Sequence, residues 1–145
     1  MNIRSFLGCW ARNRGDKYVK KYLGSDEQLL VLLPLNNLPP PEVYRQYFGL
    51  SDDNLTGVSL GRIGFIALTD QRLLVIIENI LGTDGDLVEQ LNSGDIKDIT
   101  YDGKYSVNIT DSQRKIRNYE TEIADRFELS NKLVNTFHQL ILKKD

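Results

Sequence analysis

Residues 64–78 read G-F-I-A-L-T-D-Q-R-L-L-V-I-I-E, and no other stretch restricts the fold as tightly. Two apolar runs, 65–68 and 73–77, flank the polar tetrad Thr69-Asp70-Gln71-Arg72. Short runs of β-branched and large apolar residues read as strands, and an intervening Asp suits a tight turn. Neither run is long enough for three helical turns. Alternate strand residues face opposite ways, so Phe65 and Ala67 take one face while Ile66 and Leu68 take the other. Both faces are apolar, which predicts a central hairpin covered on each side.

The rest of the chain supplies further short strands. Residues 28–33 predict a first strand, closed by Pro34. The 34–61 connection is too long to lack structure of its own. Within it, Pro41 suits a first helical position and Gly49 a terminating one, and Val43, Tyr44, Tyr47 and Phe48 share a face. That predicts a two-turn insertion helix. After the hairpin come strands at 87–91, 96–101, 104–110 and 114–123, the last more polar and suited to a sheet edge. Asp102-Gly103 is a strong two-residue hairpin signal between the fifth and sixth. Leu129, Leu133, Phe137 and Leu140 form a helical stripe flanked by Val134 and Ile141, running to about Leu142. Its start is either Asp125, with Glu128 completing a capping box, or Ser130 with a Leu129–Val134 staple.

Before the first strand lies a basic amphipathic arm, residues 1–24. Ile3, Phe6, Leu7, Trp10 and Ala11 fall on one helical face, and Tyr18, Val19, Tyr22 and Leu23 repeat the spacing after Gly15. Arg4, Arg12, Arg14, Lys17, Lys20 and Lys21 face only Asp16 as counter-charge within residues 1–22, a local balance of +5. Residues 23–112 carry −9 and residues 113–145 carry +2, leaving −2 for the chain. A basic arm on an acidic body either binds an anionic surface or folds back on its own domain. The arm therefore supplies the candidate binding residues: Arg4, Phe6, Leu7, Trp10, Arg12, Arg14, Lys17, Lys20 and Lys21.

With 145 residues, the chain suits one domain, at 25–145, plus the arm. No apolar run approaches bilayer length. The start Met-Asn-Ile-Arg has too short an apolar region for a secretory signal, and Asn2 excludes N-myristoylation. Cys9 is the single cysteine, so no intrachain disulfide or cysteine zinc cluster is expected. The expected location is cytoplasmic, with the arm as a means of peripheral attachment at the inner membrane face.

The segment Gly-x-x-x-Leu-Thr-Asp-x-Arg-Leu-Leu-Val at 64–75 resembles the second and third strands of bacterial pleckstrin-homology-like and GRAM-type domains. Seven strands followed by one amphipathic helix repeat the element order of that superfold over roughly residues 25–143. The resemblance implies an α+β, mainly β fold, a seven-stranded barrel or sandwich capped by the C-terminal helix. It also implies a non-enzymatic binding or scaffolding module whose partners are proteins, its own copies or an anionic lipid surface. The chain departs from the family in its basic arm and its long first connection.

Gly57-Val58-Ser59-Leu60-Gly61 matches the nucleophile elbow, and Ser59, an Asp such as Asp95, then His138 follow the order of a hydrolase triad. The elbow requires a strand before it and a helix after it. Here a loop precedes it, a strand follows, and the chain shows no βαβ alternation. A small serine hydrolase using Ser59 and His138 is thus the alternative. His138 is expected beside the core as a hydrogen-bonded side chain. No P-loop, dinucleotide fingerprint or metal site is present, so no cofactor is expected. The acidic body argues against nucleic acid, because phosphate contacts dominate such affinity.

Overall fold

A computed structural model describes residues 14–35, 63–78, 83–121, 123 and 125–144. The predicted insertion helix at 41–49 and most of the 34–61 connection lie outside the described residues. So do Ser59, Cys9 and the arm up to residue 13.

The hairpin forms as its apolar pattern requires. β2 (Gly64–Thr69) and β3 (Arg72–Glu78) pair antiparallel, with Leu68 opposite Leu73 and Gly64 opposite Ile77. Every residue of β2 is buried. β1 (Leu29–Leu35) and β4 (Gly85–Asn92) flank the hairpin, giving a four-stranded sheet in the order β1-β2-β3-β4. β5 (Ile96–Tyr101), β6 (Ser106–Asp111) and β7 (Ile116–Glu120) form a separate three-stranded antiparallel sheet. A 3-10 turn at Ser93–Asp95 carries the chain between them. The C-terminal helix (Arg126–Lys144) packs against β1 and β5. The protein is thus mainly β, two antiparallel sheets of seven described strands with a C-terminal helix, and strand pairing does not join the sheets into a closed barrel.

One core lies between the sheets and beneath the helix. Ile66, Leu68, Leu73, Val75, Ile99, Val107, Ile109, Leu133 and Phe137 all belong to it. Leu68, Val75 and Phe137 are each fully buried there. The opposite face of the hairpin has its own cover. Residues 14–20 are helical and place Tyr18 and Val19 in a second cluster with Leu32, Phe65, Ala67, Leu74 and Ile76. Tyr18 meets Phe65 edge to face, ring centroids 6.0 Å apart.

Several boundaries differ from those read in the sequence. Pro34 lies inside β1, opposite Phe65, rather than ending it. β1 is an edge strand, where a missing N–H costs no ladder bond. β4 begins at Gly85, and Val88 is bulged, because Val75 faces Glu89 while Ile76 faces Leu87. The β5–β6 connection is longer than two residues. Asp102 Oδ1 accepts the amides of Lys104, Tyr105 and Ser106, and Gly103 takes φ +83°. That carboxylate organises a four-residue loop and is held below the usual range, first by the Ser106 amide. β7 is shorter than 114–123, because Asp111 Oδ1 draws the amides of Gln113 and Lys115 into a turn with Arg114 at φ 68°. The helix starts at Arg126, and Asp125 O accepts the amide of Leu129, so Asp125 is the capping position. Ser130, the other candidate, is fully buried within the helix.

Candidate interaction surface

Four of the nine arm residues singled out above lie among the described residues. Arg14 pairs with the buried Glu78, whose Oε2 also accepts the Tyr18 hydroxyl at 2.7 Å. Burial, then that hydrogen bond, raises the Tyr18 pKa. Lys21 meets Asp84 Oδ2 at 2.6 Å and lies 5.0 Å above the Tyr22 ring. Lys17 and Lys20 are exposed. Two of the four cations are therefore spent on holding the segment to β3 and the start of β4. Arg4, Phe6, Leu7, Trp10 and Arg12 lie outside the described residues.

Residues 14–23 are consequently built into the domain rather than preceding it. The approach is close. A Cβ on Gly15 would stand 2.6 Å from Phe65 Cδ1 and 2.8 Å from Leu32 Cδ2. One on Gly85 would stand 2.6 Å from Ile76 Cγ2 and 2.8 Å from Tyr18 Cγ. The Tyr22 hydroxyl then donates to Gly85 O at 2.8 Å and accepts from Leu87 N at 3.1 Å, occupying groups on the outer edge of β4.

The tetrad at the hairpin tip serves the same attachment. Arg72 holds Glu27 through two bonds, Nε to Oε2 at 2.9 Å and Nη2 to Oε1 at 3.0 Å, and Nη2 also reaches Tyr22 O at 2.6 Å. Thr69 Oγ1 lies 2.6 Å from Glu27 Oε2. Arg72 first, against opposing desolvation, lowers the Glu27 pKa to about 2. Asp70 Oδ1 accepts the Gln28 amide at 3.0 Å. These are structural roles, since every charged group in the knot is satisfied from within.

His138 stands on the C-terminal helix with Nε2 2.9 Å from Asp98 Oδ1, and both side chains are about half exposed. It is hydrogen-bonded, as expected, but lies further from the core than its spacing implied. Asp95 is exposed at the end of the 3-10 turn and contacts the Asp111 turn through its carbonyl, which accepts the Ser112 amide at 2.9 Å. Asp95, Asp111, Ser112, Gln113 and Leu91 line a depression of about 280 Å³. Its less exposed carboxylate is already saturated: Asp111 Oδ2 takes Arg117 Nη1 at 2.8 Å, and Oδ1 takes two amides. Arg117 also binds Glu89 at 2.6 Å, tying the two sheets together. Among the described residues no cluster of three or more His, Cys, Asp or Glu could hold a metal. No described helix is long and apolar enough to cross a membrane.

One surface arises only in the folded chain. Tyr105 is 46% exposed and Phe127 is 50% exposed, and Arg126 lies between them. Its guanidinium sits 4.7 Å from the Tyr105 ring and 5.4 Å from the Phe127 ring. Arg126 Nε donates to Lys104 O at 2.8 Å and Nη1 to Ile123 O at 3.2 Å, so the cation is fixed in place. Tyr101 meets Phe127 edge to face at 5.9 Å. The loop organised by Asp102 and the first turn of the helix thus present a rigid aromatic corner. Two signals pointed to it. Phe127 falls on the side of the helix away from the 129/133/137/140 stripe. Tyr105 shares the alternation of Val107 and Ile109, but the four-residue loop turns it outward.

No protein-family model matches the chain. No curated protein sequence matches it either. Among solved structures, the chain is similar to the C-terminal domain of an unknown protein from Leishmania infantum, at 14% identity and TM-score 0.37, covering 67% of this chain and 96% of that one.

Proposed function

We propose that the chain is a non-enzymatic, pleckstrin-homology-like binding module that engages a protein partner through the aromatic corner of Tyr101, Tyr105, Arg126 and Phe127. The two sheets and C-terminal helix follow the element order of that superfold. The observation that carries the proposal is the pair of half-exposed aromatic rings bracketing an immobilised arginine. Tyr, Phe and Arg on a rigid, partly apolar patch are the composition of an interface centre, and such rings cost little conformational entropy on binding. The test is affinity capture from lysate, comparing the parent chain with Tyr105→Ser/Phe127→Ser. A protein retained stoichiometrically by the parent and lost by the variant is the expected result. Identical recovery on both would rule the corner out.

Attachment to an anionic membrane surface is a second reading, favoured by Lys17 and Lys20 on the outer side of the helical segment. Each cation near an anionic leaflet contributes about 1 kcal/mol, and Arg14 and Lys21 are already engaged within the domain. Sedimentation with phosphatidylserine vesicles at low salt, lost in Lys17→Glu/Lys20→Glu, is its test. The serine-hydrolase alternative gains little from the His138–Asp98 contact, because the carboxylate holds Nε2, the nitrogen that faces the serine in the usual triad. Labelling by a fluorophosphonate probe that disappears in Ser59→Ala would establish it.

A further inference from the structure

We propose that the aromatic corner recognises an aspartate or glutamate side chain of its partner, flanked there by apolar residues, with Arg126 as the receptor for the carboxylate. The proposal rests on the corner being a binding surface and adds the chemistry which that surface selects.

What points to a carboxylate is an arginine that is anchored yet uncompensated. Arg14, Arg72 and Arg117 each meet a carboxylate within the domain. Arg126 is anchored by backbone carbonyls instead, Nε donating to Lys104 O at 2.8 Å and Nη1 to Ile123 O at 3.2 Å. The Tyr101 hydroxyl donates to the same Lys104 carbonyl at 2.8 Å, so that anchor is itself held. Among the described residues Arg126 forms no salt bridge, and Nη2 has no hydrogen-bond partner. Carbonyl oxygens orient a guanidinium without cancelling its unit charge, which leaves its remaining donors set for an acid. The Tyr105 and Phe127 rings stand 4.7 Å and 5.4 Å from the cation and offer half-exposed apolar surface beside it.

The surrounding groups decide which acid fits. A phosphate or a chain-terminal carboxylate is gripped by several backbone amides at once. The amides of Lys104, Tyr105 and Ser106 are all taken by Asp102 Oδ1. Asp102 in the loop and Glu128 in the first helical turn also repel a dianion more than a single carboxylate. A cationic ligand would set like charge against Arg126. An uncharged one would cover the guanidinium and leave its donors unpaired. One side-chain carboxylate reaching Nη2, with adjacent apolar side chains on the two rings, meets each of these conditions.

Titrating the isotope-labelled full chain with N-acetylated, C-amidated tripeptides tests this by nuclear magnetic resonance. The reporters are the Arg126 Nε–H signal and the Gly103 amide. Phe-Glu-Leu is expected to shift both saturably, with Phe-Gln-Leu binding about fivefold more weakly and Phe-Lys-Leu more weakly still. Arg126→Gln should erase the preference for Glu over Gln, read at Gly103. Tyr105→Ser keeps the cation, so it should weaken both peptides and preserve the preference. The peptide comparison needs only the parent chain and stands whether or not a variant folds. Equal affinity for the Glu and Gln peptides, tighter binding of the Lys peptide, or no saturable shift overturns the proposal. So does tighter binding of phenyl phosphate, or of Phe-Gln-Leu with a free C-terminal carboxylate. Partner capture separates the two claims. A partner lost in Tyr105→Ser/Phe127→Ser but kept by Arg126→Gln defeats only the carboxylate chemistry. An Arg126-dependent preference for Glu, with identical partner recovery on every corner variant, defeats only the corner as partner site.

Discussion

At the scale of single residues, two glycines, Gly15 and Gly85, and the Glu27 carboxylate define how the N-terminal segment is held. Gly15 has no room for a Cβ, whereas Gly94 has no atom within 4 Å of one. Gly15→Ala is therefore expected to cost about 1–3 kcal/mol through overpacking against Phe65. Gly94→Ala should stay within about 0.5 kcal/mol, and urea denaturation of both variants checks the contrast. Glu27 adds a pH dependence of known sign. Its folded pKa, about 2, lies below the ordinary 4.5, so its contribution is whole above pH 4.5 and is lost as pH falls toward 2. Glu27→Gln should lose about 2–3 kcal/mol near neutrality and flatten the stability profile across that acid window. An unchanged profile would mean that the Arg72 clasp does not form. The sequence shows Gly15 only as the point after which the apolar spacing repeats. Its use as a point of close approach depends on Phe65, fifty residues away, and no local signal carries that.

At the scale of elements, what could be read was what repeats. The 64–78 hairpin, the strand at 96–101 and the helical stripe through Phe137 are set by periodicity and stand where it put them, whereas the strand read at 104–110 forms two residues later, as Ser106–Asp111. Boundaries set by a single side chain were not readable. Pro34 continues β1 because β1 is an edge, and Asp102 lengthens its loop by taking three amides rather than one. The apolar face of Phe65 and Ala67 announced that something covers it, and Tyr18 and Val19 announced a face to bury, but pairing the two needed the tertiary structure. Two truncations follow from that pairing. Removing residues 1–13 should leave the circular dichroism and cooperativity of the body intact. Removing residues 1–23 bares Leu32, Phe65, Leu74 and Ile76, and should give aggregated or non-cooperatively unfolding protein. Phe137→Ala, beneath the C-terminal helix, is expected to cost about 3–5 kcal/mol, enough to unfold a marginal domain; an unchanged melting temperature would show the helix undocked.

At the scale of the molecule, the surface divides by what the fold has already used. The inward cations and carboxylates of the segment, the hairpin tip and the Arg117 bridge are matched internally, which leaves them little to offer a ligand. The aromatic corner is different, because its rings are ordered by neighbours yet remain half exposed. Ile116 and Leu142 are exposed too and serve as internal controls. Their positions, on β7 and near the helix end, sample other faces of the same body. The decisive measurement is photocrosslinking in cells with benzoylphenylalanine placed singly at positions 127, 116 and 142. Position 127 is expected to give a discrete protein adduct, abolished by Tyr105→Ser, while positions 116 and 142 give none. No adduct from position 127, or equal adducts from all three, would contradict the corner as the site where this protein meets its partner.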